Sequence, residues 1–65
     1  MSDPILVDMA AQLTRMETEI ARARTLISVA EEAGEDMSAN KARLREAESR
    51  RDKWRDTLRS RGYTV

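Results

Sequence analysis

The chain has no cysteine, no histidine and no phenylalanine, and its 65 residues include only two glycines and one proline. Each absence narrows the reading. Without Cys or His there is no disulfide staple, no zinc site of the usual ligands, and no thiol or imidazole for nucleophilic or acid–base catalysis. No glycine-rich phosphate loop is present, and no serine stands beside a plausible base. Three turn-forming residues are too few for the many turns of a β-sandwich or an α/β sheet. One Trp and one Tyr leave little for stacking on single-stranded nucleic acid. The uncharged run 25–30 is far too short to span a bilayer and no other is longer. No charged-then-apolar leader opens the chain, since Asp3 and Asp8 bracket only four residues. The expectation is a cytoplasmic protein with no membrane partner, no cofactor, no metal and no enzymatic activity.

What is present is charge and helical period. Charged residues are 37% of the chain. Leu6, Met9, Leu13, Met16, Ile20, Ala23, Ile27 and Ala30 recur at unbroken alternating steps of three and four, the a/d seam that winds helices around one another. Asp3 before Pro4 predicts a helix start, with an acceptor at the cap and proline at the first position. Gly34 predicts its end. The expected first helix covers 4–33, the loop 34–38, and the second helix about 39–61, closed by Gly62 with Tyr63 placed to meet Leu58. Ser38 or Asp36 is the candidate cap of the second helix. Thr64 and Val65 should fray.

The second seam is thinner: Leu44, Ala47, Arg51, Trp54, Leu58 and Arg61, with Met37 and Asn40 ahead of it. Folding back about the loop predicts Ala23 and Ile27 near Leu44 and Ala47, Leu13 and Met16 near Trp54 and Leu58, and Ile20 near Arg51. The fold class is therefore all-α, an antiparallel two-helix hairpin of the coiled-coil type forming a single domain. Apolar residues are left over on the first helix. Leu26, Val29 and Ala33 form one further strip, and Ile5, Val7 and Ala11 another. A helix apolar on more than one face belongs inside a bundle, so the expectation is a homodimeric four-helix bundle with the first helices at its centre.

Net charge is zero but divided. Residues 1–36 carry eight acidic and three basic side chains; residues 37–65 carry nine basic and four acidic. Opposite halves attract, which favours folding one onto the other. The basic surplus of the second helix lies on the flanks of its seam, at Lys41, Arg43, Arg50 and Arg55, facing Glu17, Glu19 and Glu31 as candidate partners. Arg51 at an a position either sets register by pairing with Glu17 or Glu19 or reaches solvent over its aliphatic stem. Trp54 reads as core against Met16, with an interface anchor as the alternative. Met9 and Met16 read as core, with an adaptable groove as the alternative. The acidic run 31–36 does not match a calcium loop and reads as a solvated turn.

These features predict a small non-enzymatic protein–protein interaction module: a regulator, inhibitor or assembly adaptor acting as a homo-oligomer. Leu26, Val29, Arg43, Arg50, Arg51 and Arg55 are the candidate partner contacts. The alternative is a nucleic-acid-binding regulator that uses the arginine-rich second helix.

Overall fold

The computed structural model describes residues 3–63, which form two helices, α1 (Pro4–Glu32) and α2 (Ser38–Ser60), packed against each other. No strand is present among the described residues. The body measures 51 × 15 × 14 Å, the shape of a hairpin about as long as α1 itself. Thr64 and Val65 lie outside the described residues.

Local chemistry sets the ends. Asp3 sits in extended backbone, and its carboxylate accepts from the Ile5 N–H at 2.9 Å, ahead of Pro4. Gly34 (φ 88°) and Gly62 (φ 84°) follow the two caps in the left-handed region that favours glycine. Behind each glycine the chain closes the same paired turn. Glu35 N–H donates to Ala30 O and Gly34 N–H to Glu31 O; Tyr63 N–H donates to Leu58 O and Gly62 N–H to Arg59 O. At the head of α2, Asp36 accepts from the Ser38 N–H at 3.0 Å and from the Ser38 hydroxyl at 2.6 Å. Those two donors hold the Asp36 carboxyl below its ordinary range. Met37 occupies the cap position without a side-chain cap bond, so neither Ser38 nor Asp36 is the cap; Asp36, one residue ahead, accepts from the first helical N–H, that of Ser38.

Burial follows the seam of α1. Leu13, Ile20 and Ile27 are buried, and Leu6, Met9, Met16, Ala23 and Ala30 are half-buried. On α2 only Leu58 is buried, at 0% exposure, while Met37, Leu44, Arg51 and Trp54 are half-buried. Three positions of the expected second seam, Asn40, Ala47 and Arg61, are exposed. Glu48, adjacent to Ala47, is half-buried, and so is Arg55. The covered residues of α2 are therefore 44, 48, 51, 54, 55 and 58, because beside Ala47 the helix is rolled toward the flank that carries Glu48 and Arg55.

Candidate functional site

The roll of α2 makes the two flanks of the hairpin unlike. On one flank, three ion pairs join the helices: Glu31 to Lys41, Arg24 to Glu48, and Glu17 to Arg55, the last at 3.1 Å. Residues 17, 24 and 31 climb α1 in steps of seven, and 55, 48 and 41 descend α2 in steps of seven. These are the e positions of both seams, aligned by an antiparallel fold. Polarity alternates along the ladder, so each rung sits beside rungs of the opposite sense. Lys41 also places a cation at the C-terminal end of α1. That offsets the unfavourable interaction of Glu31 with the helix dipole.

The other flank, formed by the g positions, is open. A groove of about 360 Å³ runs along the half of the hairpin nearer the loop. Its floor is Ile20, Ala23, Ile27, Leu44 and Ala47; its rims carry Glu19 and Leu26 on α1 and Arg43 and Arg50 on α2. The groove exists because alanines stand at positions 23 and 47, where larger side chains would fill the space. Leu26 is 64% exposed on its rim, and Val29 is 57% exposed. At 100° per residue the g and c positions are neighbours, so apolar surface runs from the groove over Leu26 to Val29. Ile5, 69% exposed, repeats the g position near the start of α1.

The arginines have different roles. Arg55 reaches α1, whereas Arg51 bonds to its sequence neighbour Asp52, Nε and Nη2 to Oδ1 at 3.0 and 2.9 Å. Of the two alternatives for Arg51, the reach to Glu17 or Glu19 is not made, and Glu17 is taken by Arg55, one turn further along. Only 17% of the Arg51 side chain is exposed, so its stem covers the seam while its head turns outward. The Arg50 guanidinium lies 5.7 Å from the Trp54 ring centroid, within cation–π range. Among the described residues, no oppositely charged group lies within ion-pair distance of Arg43, Arg50 or Glu19. The Arg24–Glu48 rung is one that charge surplus does not reveal. Only the shared e register of the two seams points to it.

The acidic loop does not gather into a ligand set. Glu31 turns to Lys41 and Asp36 to Ser38. No group of three or more potential metal ligands converges among the described residues. No described helix is long and apolar enough to cross a membrane. What the arrangement offers is an apolar groove with one acidic and one basic rim, on a hairpin zipped along its opposite flank. No family model, no curated protein and no solved structure matches the chain.

Proposed function

We propose that this chain is a small non-enzymatic interaction module of the cytoplasm that works as a homodimeric four-helix bundle and binds another protein as a regulator, inhibitor or assembly adaptor. The observation that carries this reading is the thinness of the hairpin's core. Four hydrophobic side chains are buried among the described residues, and one flank is left apolar. The chain exposes 5050 Å². A compact chain of its 7.4 kDa would expose about 4,200 Å². A compact body of twice that mass would expose about 7,000 Å². Against two separate copies at 5050 Å² each, association would hide on the order of 3,000 Å² in total. That lies within the span of obligate homodimers, roughly 2,000–5,000 Å².

The rival reading, a nucleic-acid regulator, has fewer basic side chains to draw on than the composition implies. Lys41, Arg51 and Arg55 are engaged with carboxylates, and the outer depression near Arg45, Arg50 and Lys53 includes Glu46. The test has two parts. The thermal midpoint by circular dichroism should rise with protein concentration, and light scattering should give a dimeric mass. A monomeric mass with a concentration-independent melt would refute the reading. Tight DNA or RNA binding near physiological salt, with a steep salt slope, would install the rival.

A further inference from the structure

We infer that the groove between Ala23 and Ala47 is the dimer interface, and that its occupant is the same groove of a second copy, with α1 of each chain lying against α2 of the other and both loops at one end. This rests on the homodimer reading and adds the face, the neighbours and the orientation.

The face follows from the asymmetry of the flanks. The e flank is closed by three ion pairs that would have to be desolvated or broken to be covered. The g flank presents Leu26 and an alanine-floored groove, whose burial favours association. A helix facing the core of a bundle is expected to be apolar at a, d and one of e or g. On α1 the g side comes nearer to this, with Ile5, Leu26 and Ala33 beside Gln12 and Glu19, whereas the e side holds Glu17, Arg24 and Glu31.

The orientation follows from charge. Two hairpins set face to face have two arrangements that preserve two-fold symmetry. An axis across the bundle puts α1 beside α1 and α2 beside α2, with loops at opposite ends. It would align Arg43 and Arg50 with the same arginines of the second copy, and neither has a carboxylate partner among the described residues of its own chain. An axis along the bundle puts α1 beside the other copy's α2, with loops together. Rotation about that axis leaves the level of each residue unchanged. Glu19 therefore comes level with Arg50 of the second copy, and Leu26 with the stem of its Arg43. In its own chain Glu19 looks at Arg50 across the groove without reaching it. The second copy fills the groove and brings the opposite charge alongside. The acidic rim and the basic rim are self-complementary only in this arrangement, and like charges stay apart.

The absence of cysteine makes the test direct. Glu35→Cys, on the exposed loop, carries a single spin label, and Ser60→Cys does the same at the far end of α2. With loops together, label-to-label distances in the dimer should be below about 25 Å at both sites. With loops apart, each should be about 40 Å or more, since α1 alone runs about 43 Å. Glu19→Arg and Arg50→Glu should each weaken the dimer about tenfold or more, and the double variant should recover to within about threefold of the native Kd. A dimer with long distances at both sites, or a double variant no tighter than the singles, would overturn this interface and leave the homodimer reading standing. A chain that remains monomeric at every concentration would overturn both.

Discussion

Arg55 donates from Nη2 to Glu17 Oε1 across 3.1 Å, linking residues 38 apart in sequence. The pair marks the register of the whole hairpin. Counting seven residues from each end of it leads to Arg24 and Glu48, and seven more to Glu31 and Lys41, both of which are ion pairs. One helix slipped by a turn against the other would set residues from different rungs opposite each other along the entire flank.

The ladder should contribute modestly to stability. All three pairs are partly exposed, and solvent screening limits each to roughly 0.2–1 kcal/mol. Replacing Arg24, Lys41 and Arg55 together by glutamine should lower unfolding free energy by about 1–2 kcal/mol. The deficit should shrink in molar salt. Urea titration at low and high salt reads both quantities. The set Arg43→Gln and Arg50→Gln, without ion pairs among the described residues, should cost less in a form held monomeric by dilution.

Leu58 is the most enclosed side chain, at 0% exposure, and Leu58→Ala should cost about 2–5 kcal/mol. Leu13→Asp should unfold the chain, because Leu13 is buried and the new charge would have no partner. Ser49→Asp, exposed on the outer face of α2, should stay within about 0.5 kcal/mol of the native chain. Chemical denaturation of the four proteins side by side checks the ranking. Comparable losses at Leu58 and Ser49 would mean that the buried face is wrongly placed.

Gly34→Ala should destabilise through the backbone. The added methyl would meet nothing within 4 Å, so crowding plays no part. The loss comes from holding alanine at φ 88°, about 1–2 kcal/mol. Gly34→Asn should lose less, since asparagine tolerates this region better. Gly62→Ala, at φ 84° with equally open space, should behave in the same way. Thermal melts of the three variants at one protein concentration give the order.

Acid should weaken the head of α2 through Asp36. Its carboxyl is held below the ordinary value of 3.8 by the Ser38 hydroxyl first and the Ser38 N–H second. A depressed folded-state value means the stabilisation is fully present above the unfolded value. It disappears as pH falls through the folded one. The melting difference between the native chain and Asp36→Ala should therefore be constant above about pH 5 and close progressively below about pH 4. A difference that persists unchanged at pH 2 would contradict the role of the ionised carboxylate as acceptor for Ser38.

The parts of this protein legible in its sequence are those set by near neighbours. Asp3 and Pro4 start a helix, Gly34 and Gly62 stand after the helix ends, and the seam from Leu6 to Ala30 is the covered line of α1, because spacings of three and four residues bring side chains to one face whatever lies opposite. The exposure of Leu26 and Val29 was legible for the same reason: they lie off that line.

Tertiary structure decided which flank closed. A heptad places its e and g positions symmetrically about the a/d seam, so periodicity alone cannot distinguish a zipped edge from an open one. The choice depends on how α2 rolls against α1, and that roll is set jointly by the antiparallel register and the three rungs it aligns. For that reason Ala47 emerged from the expected seam and Glu48 moved into it. Arg51 turned to Asp52, while Glu17, one of its two candidate carboxylates, is taken by Arg55 across the fold. Helix ends and faces are decided within a turn or two of chain, whereas the groove comes from residues some twenty apart, such as Ala23 and Ala47, and only packing brings them together.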